Sequence, residues 1–150
     1  AGEVLRGALV PAGAGAGGRL LVQRRANRRL VLAEDARRLL AQAGFREVFL
    51  EDLPFDEQVR LFAGAEMVVG VHGAGLANAV FMTAGGRLLE LFPPGYSTRS
   101  YWNVALAGGL DYRCAVGARV EVAGNRHLRN HDVAVGASVI AAWLAGAPGV

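Results

Sequence analysis

The chain has 150 residues and a formal net charge of +3, and apolar residues make up 53% of it, which is typical of one folded domain. It has no apolar run near the roughly 18 residues of a membrane span, no evident secretory signal and no initiator Met, so we expect a piece of a longer protein. The single cysteine, Cys114, excludes an internal disulfide, and the complete absence of Lys excludes a Walker-type phosphate loop and Schiff-base chemistry.

Predicted strands and helices alternate along the chain. Residues 1–18, with the small-residue stretch Pro11–Gly18, are expected to form a linker, and residues 19–150 the domain. The predicted strands are Arg19–Gln23, Glu47–Leu50, Glu66–Val71, Arg87–Phe92 and Tyr112–Val116. The predicted helices are Leu30–Ala43, Pro54–Ala63, Gly75–Met82, Tyr101–Ala107 and a closing helix from an N-cap at Asp132 to Trp143. This alternation predicts an α/β fold, a Rossmann-like parallel sheet with helices on both faces, with ligands bound beyond the carboxyl ends of the strands.

The most informative segment is Val69–Met82, VGVHGAGLANAVFM, where a predicted strand passes through HGAG at residues 72–75 into a predicted helix. Backbone N–H groups at such a helix start bind anions such as phosphate. The glycines are also typical of close packing between a strand and a helix, so both interpretations stay open. The dinucleotide fingerprint fails at Asn78, where a third glycine is needed. No serine stands in the G-x-S-x-G turn that an esterase requires.

Four arginines, Arg24, Arg25, Arg28 and Arg29, follow the first predicted strand directly. Residues 1–33 contain six arginines and one glutamate, so the positive charge is local. The planar arginine fork binds phosphate with two hydrogen bonds, which favours an anion site; a solvated basic turn is the plain alternative. A nucleic-acid surface is disfavoured because no aromatic residue interleaves with the arginines.

Glu90 lies inside the apolar strand Arg87–Phe92, where a carboxylate needs a partner. The sequence leaves two partners open, the hydroxyls of a ribose or sugar and one of the arginines. His127 and His131 have i, i+4 spacing, but Leu128 replaces the Glu of a zincin and no third ligand is evident, so no metal site is predicted. No Asp-x-Asp pair occurs that could clamp a metal–diphosphate complex.

Together these segments resemble glycosyltransferase family 61 over about residues 20–145. The resemblance is carried, in chain order, by VQRRANRRLV, PFDEQVRLFAGAEMVVGVHGAGLANAVFM, GGRLLELFPP, GLDYRC and NHDVAV. It implies an inverting, metal-independent glycosyltransferase of the GT-B architecture, in which this chain is the C-terminal half that binds the nucleotide-sugar. The enzyme would then be active only as part of a longer chain with an N-terminal acceptor domain.

The resemblance also implies roles for individual residues. The predicted diphosphate contacts are the four arginines Arg24, Arg25, Arg28 and Arg29, together with His72, Gly73, Ala74, Gly75, Leu76 and Asn78. Glu90 would reach the ribose or sugar, and the catalytic base stays unassigned because it would lie on the other domain.

The implied partners are a nucleotide-sugar donor and a glycan or protein acceptor. The donor, expected to be UDP-linked, is a substrate, and no cofactor is predicted. The composition favours a bacterial, cytoplasmic enzyme, whereas a eukaryotic member would work in the secretory pathway. A non-catalytic nucleotide- or protein-binding domain of the same fold is the main alternative, and an esterase-like hydrolase is the next.

Overall fold

The computed structural model describes residues 7, 9–10, 18–124, 127 and 130–146, so most of the predicted linker lies outside it. The central sheet contains β1 (Gly18–Gln23), β3 (Phe45–Phe49), β4 (Ala65–Val71), β5 (Arg87–Phe92) and β6 (Asp111–Val116). A second sheet contains β2 (Leu30–Leu32), β7 (Ala118–Val120) and β8 (Asp132–Val135). The α-helices are α1 (Glu34–Gln42), α2 (Phe55–Ala63), α3 (Ser100–Gly108) and α4 (Ala137–Leu144), and Leu50–Asp52 and Ala74–Phe81 are 3₁₀ helices. None of the helices in these residues is long and apolar enough to cross a membrane.

The central sheet is parallel throughout and has the order β3-β1-β4-β5-β6. From β1 the chain first moves outward to β3, and from β4 onward it moves the other way. The order of the strands therefore reverses between β1 and β4. In open parallel sheets a crevice forms outside the carboxyl ends of the strands at this point, and ligands bind there. The predicted α/β fold is confirmed.

Helices cover both faces of the central sheet and form two apolar cores. Helices α1 and α4 pack with β8 on one face, where Trp143 is 1% exposed. Helix α2, the 3₁₀ helix Ala74–Phe81 and helix α3 cover the other face, where Phe62 is fully buried. Because β4 and β5 are covered on both sides, their sequences read as nearly continuous apolar runs rather than as alternating ones.

Two predicted elements near the basic loop are wrong. The predicted helix Leu30–Ala43 begins with strand β2 and becomes helical only at Glu34. Asp132 is the first residue of β8 and not an N-cap; helix α4 begins at Ala137 after Gly136. Both errors have one cause, because β2 is stabilised by parallel pairing with β8 about a hundred residues later, from Leu30 opposite Val133 to Leu32 opposite Val135. Local periodicity carries no information about such a partner.

Candidate functional site

A cleft of about 290 Å³ lies at the carboxyl ends of β1 and β4, where the strand order reverses. One wall is the turn after β1, another is the turn after β4, and a third is the 3₁₀ turn Leu50–Asp52 after β3. The residues that line the cleft are Val22, Gln23, Arg24, Leu50, Glu51, Gln58, Val71, Gly73, Ala74, Gly75, Leu76 and Asn78. The two predicted motifs, the arginine cluster and the HGAG turn, thus meet in one place.

The predicted short helix Gly75–Met82 is present as a 3₁₀ helix, Ala74–Phe81. Its buried side chains recur every three residues, at Leu76 and Ala79 and again at Asn78 and Phe81, which suits three residues per turn. The first intrahelical bond runs from the Leu76 amide to the Gly73 carbonyl at 3.0 Å. This leaves the amides of Ala74 and Gly75 with no hydrogen-bond partner among the described residues, at the cleft wall.

The glycines of the turn serve two different purposes. A Cβ on Gly75 would lie 2.8 Å from Cδ1 of Leu50, so this glycine permits packing against the apolar core. A Cβ on Gly73 would instead overlap Nη1 of Arg24. The glycine at 73 thus lets the guanidinium lie directly on the backbone of the turn. The packing interpretation is confirmed at Gly75, whereas anion binding at this turn stays a prediction.

Arg24 is the arginine that lines the cleft. It is half-buried, and its Nε atom is buried with no hydrogen-bond partner among the described residues. A buried guanidinium N–H without a partner is costly, so Arg24 carries a donor that the fold leaves unsatisfied. The unpaired amides of Ala74 and Gly75 lie on the same cleft, so the donors converge there.

The loop that carries the arginines is held at both ends. Gln23, 7% exposed, donates from Nε2 to the Leu30 carbonyl at 2.9 Å and accepts from the Leu30 amide at 3.1 Å. Arg28 has a positive φ of 62°, which costs a non-glycine residue about 1–2 kcal/mol, and its Nη1 donates to the His72 carbonyl at 3.0 Å. The contact from Arg28 joins the arginine loop to the turn after β4.

The other two arginines bind acidic residues of the fold. Arg29 donates through its backbone amide and Nε to Asp132 at 2.8 and 2.9 Å, and Asp132 is 1% exposed. Arg25 forms an ion pair with Asp52, and its guanidinium lies over the Phe49 ring, 3.8 Å from the ring centre. Of the four predicted phosphate contacts, Arg24 lines the cleft and Arg28 binds the turn after β4. Arg25 and Arg29 bind acidic residues instead.

Asn78 and Leu76 are buried residues that form part of the cleft wall. Leu76 is 1% exposed, and its amide is already used within the 3₁₀ helix. Asn78 donates from Nδ2 to Gln58 at 2.9 Å and to the Gly75 carbonyl at 3.2 Å. Gln58 in turn donates to the carbonyls of Leu50 and Leu53, so it joins α2 to the turn after β3. The role of Gln58 was missed, although it lies in the PFDEQ segment that carries part of the family resemblance.

Glu90 is fully buried beneath His72 and not at the cleft surface. Its Oε1 lies 2.5 Å from Nδ1 of His72, and its Oε2 accepts from the Tyr112 hydroxyl at 2.6 Å. No arginine pairs with Glu90 among the described residues, and protein side chains contact both carboxylate oxygens; contact with a ribose or sugar stays a prediction. Direct contact with a ribose or sugar would require His72 or Tyr112 to move.

The His72 ring lies in an aromatic box on the β5 side of its backbone. It stacks on Phe92 with the rings 5.3 Å apart and tilted by 17°, and Tyr96 and Tyr101 close the box with ring distances of 5.3 and 5.2 Å. Nε2 is 3.4 Å from the Tyr96 hydroxyl. Although Val71 and Gly73 line the cleft, the ring of the residue between them does not.

The tyrosines next to Glu90 are perturbed by their surroundings. Burial, followed by the hydrogen bond to Glu90, raises the pKa of Tyr112 far above its usual range. Burial, followed by the negative charge of Glu90, also raises the pKa of Tyr101. Both hydroxyls therefore keep their protons, and the Tyr112 hydroxyl donates to the carboxylate. The acid inside an apolar strand indicates that hydrogen-bond donors must lie near Glu90, but not which residues provide them.

Groups of three or more metal-binding side chains are absent from the described residues.

Comparison with known proteins gives one family and a set of relatives. The family model described as Glycosyltransferase 61 matches residues 13–89. A dog protein named protein O-linked-mannose beta-1,4-N-acetylglucosaminyltransferase 2 is 41% identical over 101 residues, or 61% of this chain. The human protein of that name is 39% identical over 101 residues, and the zebrafish one is 35% identical over 83 residues. The aligned part spans 17% of the dog and human proteins and 14% of the zebrafish protein.

Proposed function

This chain belongs to glycosyltransferase family 61, and from that premise we propose that it forms the donor-binding part of a glycosyltransferase. The observation that carries the proposal is the Arg24 guanidinium lying on Gly73, beside the unpaired amides of Ala74 and Gly75. These donors converge where an open parallel sheet binds its ligands. A diphosphate is the anion that best matches a guanidinium fork and a row of backbone amides.

The donor set also suggests how the cleft would assist transfer. When the sugar leaves the donor, negative charge grows on the diphosphate, and fixed donors aimed at that charge stabilise the transition state. The backbone of the turn fixes its amides before any ligand arrives, and the Arg24 guanidinium already lies on Gly73. We further propose that this transfer is inverting and metal-independent and takes place within a GT-B enzyme, as the family resemblance implies. No residue here is assigned as the catalytic base.

The relatives suggest a first donor to examine. Their printed names describe transfer of N-acetylglucosamine, so we propose UDP-N-acetylglucosamine as the nucleotide-sugar and a glycan or glycosylated protein as the acceptor. Because the match spans about a sixth of the dog and human relatives, transfer itself is proposed for a longer chain. These relatives are vertebrate proteins and give no support to the bacterial, cytoplasmic location that the composition favours; the compartment stays a prediction.

Calorimetric titration with UDP tests the donor site. We expect Arg24→Ala to weaken UDP binding by roughly 10- to 100-fold, because a charge-assisted hydrogen bond is lost. Arg25→Ala is the matched control, since the neighbouring arginine pairs with Asp52 outside the cleft, and it should change affinity by less than about threefold. Equal losses in the two variants, or no heat with millimolar UDP, would refute the donor site and favour a non-catalytic role.

A further inference from the structure

The imidazole ring of His72 does not face the cleft that Arg24 lines. Its neighbours Val71 and Gly73 line the cleft, but the ring points to the β5 side, where Phe92 and Tyr101 hold it. The backbone of His72 therefore belongs to the anion site, because its carbonyl accepts from Arg28, while its side chain does not line that site. The His72 side chain is 10% exposed, so little of the ring is open to a ligand.

We propose that Glu90 is a positioning residue that holds the ring proton of His72 on Nδ1, so that Nε2 accepts a hydrogen bond from a hydroxyl of the sugar carried by the donor. This inference rests on the proposed function and names the group that recognises the sugar. The predicted contact between the imidazole and the diphosphate would need a proton on Nε2, because phosphate oxygens only accept hydrogen bonds. The proposal assigns Nε2 to a sugar hydroxyl instead.

The hydrogen bonds around Glu90 fix the direction of the one to His72. The Tyr112 hydroxyl stays protonated and donates a hydrogen bond to Oε2, so Glu90 is the acceptor on that side. Oε1, 2.5 Å from Nδ1, then accepts from the ring. In a neutral imidazole whose Nδ1 carries the proton, Nε2 has the lone pair.

The group that Nε2 faces in the protein is itself a hydroxyl. The Tyr96 hydroxyl lies 3.4 Å away, on a half-exposed side chain in the loop after β5. This distance is long for an O–H to N bond, so Tyr96 marks the direction of the acceptor rather than saturating it. A sugar hydroxyl that takes the place of the Tyr96 hydroxyl would donate to the Nε2 lone pair at a shorter distance.

Nitrogen-15 NMR of the 150-residue chain tests the positioning role, and with three histidines the His72 signals are assigned by comparison with His72→Phe. In the wild type we expect the Nδ1–H tautomer. In Glu90→Gln the Tyr112 hydroxyl holds the amide oxygen, so the amide NH₂ faces Nδ1 and should switch the ring to Nε2–H. A merely structural Glu90 would leave the tautomer unchanged, and that result, or Nε2–H in the wild type, would overturn the proposal.

Titration with UDP and with UDP-N-acetylglucosamine tests the ligand group, and does not depend on whether Glu90→Gln folds. His72→Phe keeps an aromatic ring in the box and removes both nitrogens, and we expect it to lower the ratio of the two affinities by about five- to tenfold. Arg24→Ala should weaken both ligands by the same factor. If His72→Phe weakens both ligands equally or neither of them, the hydroxyl contact is wrong. Failure of the donor site would appear instead as unchanged UDP binding in Arg24→Ala.

Discussion

Gly73→Ala is expected to weaken nucleotide binding while leaving the fold intact. The backbone at Gly73 is extended, with φ 175° and ψ 167°, so alanine fits it without strain. The new Cβ would overlap Nη1 of Arg24, and its next neighbours are Cζ of Arg24 at 3.4 Å and the Val71 carbonyl at 3.7 Å. Because the guanidinium is the end of a flexible side chain, it is what moves, and it moves away from the diphosphate position.

The size of the effect follows from what is lost. A hydrogen bond to a charged group contributes about 1.5–3 kcal/mol, so UDP affinity should fall by roughly 10- to 100-fold. The free energy of unfolding should change by less than about 1 kcal/mol, since alanine also restricts the unfolded chain. The substitution thus copies the binding defect of Arg24→Ala without removing the arginine.

Calorimetry with UDP, alongside urea unfolding, separates the two effects. The double variant Gly73→Ala with Arg24→Ala should bind no more weakly than Arg24→Ala alone, because both changes remove the same contact. Gly108→Ala, at the last residue of helix α3, is the control. Its Cβ would lie 3.7 Å from Cγ of Leu110, an ordinary contact, and UDP affinity should not change. The reasoning fails if Gly73→Ala binds UDP like the wild type, or if the two losses add.

Three further predictions concern the fold around the site. Gln23→Ala removes both buried hydrogen bonds that close the arginine loop, so urea unfolding should show a loss of about 1–3 kcal/mol, and UDP binding should weaken. The free energy of unfolding should fall as pH rises above about 10, because unfolded tyrosines ionise there while the raised pKa values of Tyr101 and Tyr112 keep both protonated in the fold. Tyr112→Phe should flatten that slope in urea unfolding from about pH 9 to about pH 11, and an unchanged slope would contradict the assignment. Phe62→Ala should cost about 3–5 kcal/mol in urea unfolding, whereas Leu106→Ala, at a position 67% exposed, should stay within about 0.5 kcal/mol.

The part of the site that could be predicted from sequence depends on local order along the chain. Each strand of the central sheet is followed by a turn, and parallel strands bring those turns to one edge. This rule places Arg24 after β1 and Gly73 after β4, so the sequence could predict that they meet. It could not predict that Gly73 makes room for that arginine in particular, because a guanidinium resting on a backbone is a contact between two loops.

The partners of Glu90 could not be predicted from the sequence, because they too come from distant segments of the chain. Tyr112 belongs to β6, the strand next to β5, and His72 follows β4 on the other side. Which side chains face the carboxylate depends on the register of both neighbours. The composition of β5 shows only that some donor must be near an acid among leucines.

The bond between Arg29 and Asp132 spans 103 residues and has a consequence for synthesis on the ribosome. The arginine loop is synthesised about a hundred residues before the strand β8 that anchors it. A chain stopped at residue 89, where the family match ends, holds every arginine and glycine of the cleft yet lacks Glu90 and Asp132. We expect such a truncated chain to bind UDP no more tightly than Arg24→Ala in the same titration. A nascent chain would then contain the complete motif before it can form the binding site.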